Sequence, residues 1–343
     1  MTHRSPVRIG LIGTGRIGTH HATTLARRLS EADLVAVADS APGRAQHLGE
    51  ALGVPWLTDA HALIERPDIE AVAITCSSIA HSELVVAAAQ AGKAVFVEKP
   101  MALTLADADR AIAACRAAGV PLQVGFNRRF APEFRAAHDV VVDGGIGTPQ
   151  LLRSLTRDPG LADPSAVPPW TIFTQTLIHD FDVLSWFNPD ARPVEVSVMA
   201  DALVAPDYRD AGLLDTAVVT IRYDNGAIAV AEASFAAAYG YDVRAEAFGS
   251  RGMVAAGSPS HLHTTHWNAD GVSSPTARAD TELFAEAYAG ELAAFCAVVR
   301  DGTPAAVGGT DARAALRIAL ACIEAVETGA TVTIHDADRA GVR

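Results

Sequence analysis

A glycine-rich segment near the amino terminus constrains the fold of this chain more than any other feature. Glycine occupies the first, third and sixth positions of residues 13–18, between the apolar run 7–12 and a stretch with helical periodicity. Glycines at this spacing allow a tight turn, close approach of a phosphate to the backbone, and close packing of helix on strand. The amino terminus of the helix attracts an anion. The segment therefore predicts a strand–loop–helix unit that binds a dinucleotide.

The first third of the chain alternates short apolar runs with alanine-rich amphipathic segments. This alternation is typical of parallel strands joined by helical crossovers, and it predicts an α/β domain. After the first strand, further strands are expected at residues 34–38, 71–75, 94–97 and 121–124. Each expected strand ends where a ligand-facing loop begins in a doubly wound sheet.

The pattern changes after Thr148, where longer runs alternate polar and apolar residues. Such runs favour an antiparallel or mixed sheet. They cover residues 151–156, 194–200, 216–223, 227–235 and 243–248. The sequence Asp-Asn-Gly at 224–226 predicts a hairpin, because Asn and Gly tolerate positive φ. Helices are expected near residues 174–187, 281–300 and 310–327.

Together these patterns predict an α/β protein of two domains, as expected for 343 residues. Residues 1–125 are expected to form an N-terminal Rossmann dinucleotide-binding domain. Residues 126–343 are expected to form a C-terminal α+β domain with a large, mostly antiparallel open sheet. Because few helices remain to cover both faces of that sheet, a homo-oligomer is expected.

Composition excludes several classes of function. With 27 basic and 40 acidic residues the formal net charge is −13, and the absence of a basic cluster argues against a nucleic-acid partner. Half of the residues are hydrophobic, which excludes a disordered chain. No apolar run reaches about 18 residues and no signal-peptide pattern precedes the first strand, so no membrane association is expected.

Cysteine and histidine spacing argues against a disulfide framework and against a metal site. The four cysteines lie far apart and form no C-x-x-C pair, at Cys76, Cys115, Cys296 and Cys322. This usage indicates a reducing compartment, and a cytoplasmic protein is expected. The segment that holds His261, His263 and His266 could place two imidazoles on one face of a strand, but no third ligand is evident, so no metal is predicted.

Asp39 ends the second expected strand, where a carboxylate contacts the ribose of a bound dinucleotide. It is expected to accept hydrogen bonds from the adenosine ribose hydroxyls and to repel a 2′-phosphate. The predicted cofactor is therefore NAD rather than NADP. Two alternatives stay open, since Asp39 could be a strand-end turn residue and the nearby Arg44 could favour a phosphate.

Lys99 and His179 are the candidate catalytic residues. Lys99 follows the strand at 94–97, so its ammonium lies at the carboxyl edge of the sheet, where it could stabilise a substrate hydroxyl as an alkoxide. His179 lies on an expected helix, and histidine is suited to take a hydroxyl proton near neutral pH. Gln175 and Asp182 share its helix face by spacing. A solvated lysine and a structural histidine are the alternatives.

Thr75, Ser77 and His81 follow the expected strand at 71–75. Ser77 with His81 resembles a nucleophile and its base, yet the position after a parallel strand suits a loop beside the nicotinamide ribose. The three residues are therefore assigned to cofactor binding rather than to hydrolysis.

Four segments in order resemble the glucose-fructose oxidoreductase, inositol dehydrogenase and MocA family, especially its inositol 2-dehydrogenase branch. They are the glycine loop 13–18, Glu-Lys-Pro at 98–100, Asn-Arg-Arg-Phe at 127–130 and His-Asp-x-Asp at 179–182. Tyr-Gly-Tyr-Asp at 239–242 and Phe-Gly-Ser-Arg-Gly at 248–252 also resemble that branch. The resemblance covers nearly the whole chain. It implies NAD-dependent oxidation of a ring hydroxyl of a cyclic polyol or sugar, most notably an inositol.

The resemblance also implies roles for individual residues. Lys99 would contact the reacting hydroxyl, His179 would act as acid or base, and the bond between Lys99 and Pro100 could be cis. Substrate contacts are assigned to Gln175, Arg129 and Tyr241. Cofactor contacts are assigned to Gly13, Gly15, Arg16, Ile17, Gly18, Asp39, Thr75, Ser77, His81, Glu98 and Lys99. A homotetramer is implied.

One position departs from the family pattern, because members that resemble this chain carry Asp where Gln175 stands. Glutamine cannot take a proton, although it can hold a hydroxyl as both donor and acceptor. A dehydrogenase or reductase for another pyranose or keto-sugar therefore stays open. So does a non-catalytic sensor that binds the dinucleotide, which the retention of Lys99 and His179 argues against.

Overall fold

The computed structural model describes residues 5–160, 163–260 and 264–335, so His261 and His263 lie outside the described residues. The chain divides into two compact units. Unit 1 contains Met1–Phe130 and Glu286–Arg313, and unit 2 contains Ala131–Ala285 and Ala314–Arg343. All of residues 126–343 were expected in one domain, whereas residues 126–130 and 286–313 belong to unit 1 in this structure.

The strands form two large sheets and one small hairpin. They are β1 (Val7–Ile12), β2 (Ala32–Ala38), β3 (Trp56–Leu57), β4 (Ala71–Ile74), β5 (Ala94–Glu98), β6 (Leu122–Gly125), β7 (Pro149–Arg157), β8 (Pro193–Asp201), β9 (Thr216–Tyr223), β10 (Ile228–Ser234), β11 (Asp242–Gly249), β12 (Gly252–Ala256), β13 (His266–Asn268), β14 (Gly271–Ser273) and β15 (Val332–Thr333). Every strand expected from the sequence is present, with ends that agree to within two residues.

The helices include each one expected from the sequence, although the helix expected at 281–300 is divided into α8 and α9. They are α1 (Arg16–Arg27), α2 (Arg44–Leu52), α3 (Ala60–Ile64), α4 (His81–Gln90), α5 (Leu105–Ala118), α6 (Pro132–Val142), α7 (Leu177–Trp186), α8 (Asp280–Leu283), α9 (Ala285–Asp301) and α10 (Gly309–Thr328). Within the described parts of the chain, no helix combines the length and the apolarity needed to cross a membrane.

The sheet of unit 1 is entirely parallel, with the strand order β3-β2-β1-β4-β5-β6. Every residue of β4 and β5 is buried, which is why these strands read as continuous apolar runs. The order changes direction between β1 and β4, and ligands bind at the carboxyl ends of strands at such a point. The predicted Rossmann domain is confirmed.

The larger sheet of unit 2 has seven strands in the order β12-β11-β7-β10-β9-β8-β15. β7 and β10 pair in parallel, and every other neighbouring pair is antiparallel. Asn225 and Gly226 lie in the turn between β9 and β10, with Gly226 at φ +87°. The predicted hairpin and the mostly antiparallel sheet are both confirmed.

Helix α9 completes the core of unit 1 although it follows unit 2 in sequence. Its residues Leu292 and Phe295 belong to the same buried cluster as residues of β1, β2 and β5. The rings of Phe295 and Phe96 lie 5.9 Å apart, and Gln123 donates to the carbonyl oxygen of Glu291 at 2.7 Å. These contacts join residues about 170 to 200 positions apart, which periodicity in sequence cannot indicate.

Candidate active site

The loop between β1 and α1 has the geometry of a dinucleotide-binding turn. Gly13 has φ +96°, and a Cβ there would lie 2.4 Å from the Cα of Cys76. A Cβ at Gly18 would lie 1.8 Å from the carbonyl oxygen of Gly13, so glycine lets α1 pack against the loop. Around a Cβ built at Gly15, none of the described atoms lies within 4 Å. This open space beside the backbone fits a pyrophosphate.

Asp39 follows β2 and is held against the glycine loop. Its Oδ2 accepts from the backbone N–H of Thr14 at 2.7 Å and from the Thr14 hydroxyl at 3.0 Å, and its Oδ1 accepts from Ala41 N–H at 2.8 Å. Burial raises the pKa of Asp39, but these hydrogen bonds and the charge of Arg44 outweigh burial and lower the pKa. Asp39 is therefore a fixed anion beside the loop.

Two concave surfaces contact the glycine loop. A cavity of about 250 Å³ has Gly13, Asp39 and Cys76 in its wall. A more open groove of about 760 Å³ is lined in part by Gly15, Arg16 and Arg44. The first suits an adenosine ribose next to Asp39, and the arginines of the second favour an anion. Burial raises the pKa of Cys76 to about 11, so its thiol stays protonated at neutral pH.

Thr75 and His81 connect the loops at the carboxyl edge of the sheet. The Thr75 hydroxyl contacts the carbonyl oxygens of Ile12 at 3.1 Å and Gly13 at 2.7 Å. His81 contacts the carbonyl oxygen of Pro100 through Nδ1 at 2.8 Å and that of Cys76 through Nε2 at 3.1 Å. Burial lowers the pKa of His81 despite these two hydrogen bonds. Ser77 is exposed at the same edge.

Lys99 directly follows β5 and is half-buried. Its peptide bond to Pro100 is cis, which confirms the expectation from the family resemblance. The preceding residue, Glu98, is buried, and its carboxylate contacts Nε2 of His21 at 2.7 Å and the N–H of Lys99 at 3.1 Å. Because the strands are parallel, Lys99 lies at the same edge of the sheet as the glycine loop.

In unit 2, a turn of π-helix at Ile172–Thr176 precedes α7, so Gln175 and His179 lie on either side of a change in helix type. Leu177, Ile178 and Asp180 are buried, whereas Gln175 and His179 are half-buried. Turns of π-helix are frequent at functional sites. The sequence predicted one helix from residue 174 and did not indicate this turn.

Asp180 anchors α7 to the sheet of unit 2. It is fully buried, and its two carboxylate oxygens accept hydrogen bonds from Ser154 at 2.5 Å and Thr156 at 2.7 Å. Both hydroxyls belong to β7, so this contact holds the segment next to His179 against a rigid strand. Asp182 is also buried.

Arg129 and Tyr241 lie in different units. The Arg129 side chain is only 8% exposed, and its guanidinium donates to Asp311 at 3.0 Å and to the carbonyl oxygen of Ala306 at 3.2 Å. The guanidinium of Arg129, which was expected to contact the substrate, therefore already donates to groups of the protein. Tyr241 is half-buried directly before β11, where its N–H donates to the carbonyl oxygen of Ala277 at 2.9 Å.

Unit 1 therefore brings together the predicted cofactor residues of the loops after β1, β2, β4 and β5. Unit 2 brings Gln175 and His179 onto neighbouring turns of one helical segment. Sequence patterns gave no role to His21 or Thr14, and they marked Asp180 only as part of the motif at 179–182. A histidine one turn after a glycine loop is a weak signal, and the partners of His21 and Asp180 are distant in sequence.

Family models match most of the chain. The model for the oxidoreductase family with an NAD-binding Rossmann fold matches residues 7–126. The model for the GFO/IDH/MocA C-terminal domain matches residues 134–255. The two matches fall largely on unit 1 and unit 2, respectively.

Curated proteins and solved structures are similar along nearly the whole chain. The myo-inositol 2-dehydrogenase of Thermotoga maritima is 38% identical over 339 residues, covering 96% of this chain and 99% of that protein. The NAD-dependent scyllo-inositol 2-dehydrogenase of Bacillus subtilis is 35% identical, covering 96% of each. The crystal structure of scyllo-inositol dehydrogenase from Lactobacillus casei with bound NAD(H) and scyllo-inositol superposes with a TM-score of 0.92 at 29% identity, covering 96% of this chain and 99% of that one.

Proposed function

Because this chain belongs to the GFO/IDH/MocA family of oxidoreductases, we propose that it is an NAD-dependent inositol 2-dehydrogenase. Its substrate would be myo-inositol or a related inositol, and its product the corresponding keto-inositol. The 38% identity with a myo-inositol 2-dehydrogenase along 96% of the chain carries this proposal.

The cofactor residues have separable roles. When bound, NAD supplies the acceptor for the hydride that leaves the carbinol carbon. The backbone of the glycine loop holds the pyrophosphate at Gly15, and the amino terminus of α1 stabilises its charge. Asp39 accepts hydrogen bonds from the ribose hydroxyls. Thr75 and His81 keep the loops in place through their contacts with carbonyl oxygens.

Lys99 and His179 handle the hydroxyl of the substrate. The Lys99 ammonium donates a hydrogen bond to the hydroxyl oxygen and stabilises the negative charge that develops there. His179 takes the hydroxyl proton as a general base. Gln175, which precedes His179 on the same helical segment, holds a neighbouring hydroxyl of the polyol by donating and accepting. Tyr241 is a further candidate contact.

A homo-oligomer, with a tetramer as the expected form, is part of the proposal. The seven-stranded sheet carries large exposed apolar side chains on several neighbouring strands: Leu151, Met199, Val218, Ile228, Phe248 and Met253. Exposed apolar patches of this kind are typical of interfaces between chains. Static light scattering would test the oligomeric state, because a mass near that of one chain at micromolar concentration contradicts an oligomer.

We also propose a cytoplasmic location, which the cysteine usage supports.

The decisive experiment measures the appearance of reduced nicotinamide by absorbance with the purified protein. The panel combines myo-inositol, scyllo-inositol and several pyranoses with NAD and with NADP. The proposal predicts the highest kcat/KM for an inositol with NAD. A higher kcat/KM for a pyranose would show that the proposed substrate is wrong, while the protein would still be an NAD-dependent oxidoreductase. Tight NAD binding without turnover on any member, in either direction, would instead support a sensor.

A further inference from the structure

Three ionisable side chains meet in the core of unit 1, and the mechanism above uses none of them. Nε2 of His21 lies 2.7 Å from Oε1 of Glu98 and 3.8 Å from Oε1 of Glu291. His21 and Glu291 are completely buried, and Glu98 is nearly so. The residues belong to α1, β5 and α9, so only folding brings them together.

The spacing fits a hydrogen bond better than a metal centre. One ligand atom from each residue lies within 4.8 Å of the others, a spacing that could surround an ion. However, the 2.7 Å between His21 and Glu98 is the length of a charge-assisted N–H to carboxylate hydrogen bond. Two ligands at about 2.1 Å from one tetrahedral ion would lie about 3.4 Å apart.

The surroundings of Glu291 indicate that its carboxyl group is uncharged. Among the described residues, neither of its oxygens has a hydrogen-bond partner, although the side chain is fully buried. A buried carboxylate without partners is costly, and a second carboxylate in the same cluster adds repulsion. Burial and the charge of Glu98 therefore raise the pKa of Glu291 well above its ordinary value.

Glu98, in contrast, has the partners that a carboxylate needs. It accepts from His21 through Oε1 and from the N–H of Lys99 through Oε2. Burial alone would raise the pKa of Glu98, but the hydrogen bond from His21 and the charges of His21 and Lys99 outweigh it and lower the pKa. Since a carboxylate can only accept, Nε2 of His21 carries the proton of their hydrogen bond.

We propose that His21 is a positioning residue, which holds Glu98 as the anion of this cluster directly before Lys99, while Glu291 stays uncharged beside them. The attraction between Glu98 and Lys99 favours the ammonium form of Lys99, which is the form that can donate to a substrate hydroxyl. A second charge on Glu291 would weaken this arrangement by competing for His21. The inference rests on the proposed function, because it assigns a purpose to the charge of Lys99.

Among the described residues, the charged and titratable groups that act on Glu98 come from three helices and from the loop after β5. They are His21 on α1, His81 on α4, Glu291 on α9, and Lys99 after β5. His81 is buried and its pKa is lowered by burial, so it contributes little positive charge near neutral pH. The anion on Glu98 is therefore balanced chiefly by the His21 hydrogen bond and by Lys99.

Two isosteric variants with opposite expected results test this arrangement. Glu291→Gln replaces an uncharged carboxyl by an uncharged amide, so kcat with the inositol substrate should stay within about threefold of wild type. Glu98→Gln removes the anion, so kcat should fall by about 10-fold or more, with the alkaline limb of its pH profile moved to lower pH. NAD affinity, measured by nicotinamide fluorescence, should change little in both.

A second measurement reads the charge of Glu291 without turnover. The infrared spectrum of the wild type at neutral pH should contain the C=O stretching band of a protonated carboxyl group. The band should be absent from the spectrum of Glu291→Gln and present in that of Glu98→Gln. Should Glu98→Gln fail to fold, His21→Phe serves in its place, because it removes the donor to Glu98 and should reproduce the same kinetic change.

Three results would overturn the proposal: equal losses of kcat in the Gln variants, absence of the protonated-carboxyl band, or a stoichiometric divalent metal lost from both variants. If the wild type oxidises no polyol, the proposed function fails, whereas the infrared assignment of Glu291 can still hold. The two failures are therefore distinguishable.

Discussion

The backbone N–H of Thr14 donates to Oδ2 of Asp39 at 2.7 Å, which ties the residue after β2 to the glycine loop after β1. The same carboxylate accepts from the Thr14 hydroxyl and from Ala41. Its charge is thus held in one place by hydrogen bonds from two loops. We propose that a dinucleotide bound along the glycine loop places its ribose next to this charge.

Asp39→Ala should narrow the preference for NAD over NADP. In the wild type, the carboxylate faces the 2′-phosphate of NADP at a cost of about 1 to 3 kcal/mol. The ratio of kcat/KM for the two cofactors measures the change. Because Asp39 also holds Thr14, Asp39→Asn is the control, in which an acceptor is kept without the charge. A wild-type ratio that favours NADP would contradict the assignment.

Gly15→Ala and Gly18→Ala should fail in different ways. The Cβ at position 15 enters open space, so the protein should keep its Tm and lose NAD affinity by about 10-fold or more, as the methyl group occupies the place of the pyrophosphate. The Cβ at position 18 meets the carbonyl oxygen of Gly13, so Tm should fall as well. Thermal unfolding and calorimetric titration with NAD separate these outcomes. Unchanged NAD affinity in Gly15→Ala would remove this glycine from the cofactor site.

Lys99→Ala and His179→Ala should each lower kcat by about 100-fold or more, the usual contribution of a positioned acid or base. NAD affinity should stay close to that of wild type. If both groups act in one transition state, the double variant should be little worse than either single variant. Steady-state kinetics on the inositol substrate provides the comparison, and full activity of the double variant would show that the catalytic residues lie elsewhere.

Gln175→Asp should change the pH dependence of turnover. A carboxylate one helical turn before His179 favours the imidazolium, so the acidic limb of the kcat profile should move to higher pH. Gln175→Glu is a matched control for the position of the charge. A profile that does not move in either variant would mean that residue 175 does not influence the base.

Glu291→Gln should stabilise the protein increasingly as the pH rises. Burial raises the pKa of Glu291 above its unfolded value, so the stability associated with its protonation is full below the ordinary glutamate pKa and is lost as pH rises through the folded pKa. The amide has no such dependence. Urea unfolding of both proteins between about pH 5 and 9 measures the difference, which should grow with pH. A constant difference would contradict the raised pKa.

Local sequence patterns were sufficient for the parallel sheet, the mostly antiparallel sheet, their strands, and the loops that carry Gly13, Asp39 and Lys99. Apolar residues at a period of two or at helical spacing indicate which face of an element is buried. Glycines indicate positions where the backbone conformation or a close approach excludes a side chain. Both signals can be recognised without knowing the fold. The order of parallel strands then places their carboxyl ends at one edge. For this reason the positions of these loops were predictable.

Tertiary structure alone decided the contacts between distant segments. The meeting of His21 and Glu98 with Glu291 depends on the return of α9 to unit 1, and the Asp311 partner of Arg129 depends on the same return. Likewise, Asp180 finds its hydroxyl partners on β7 only after α7 packs on the sheet. Such contacts arise from the packing of side chains far apart in sequence, and the charges that burial produces there follow from desolvation, which local pattern does not record.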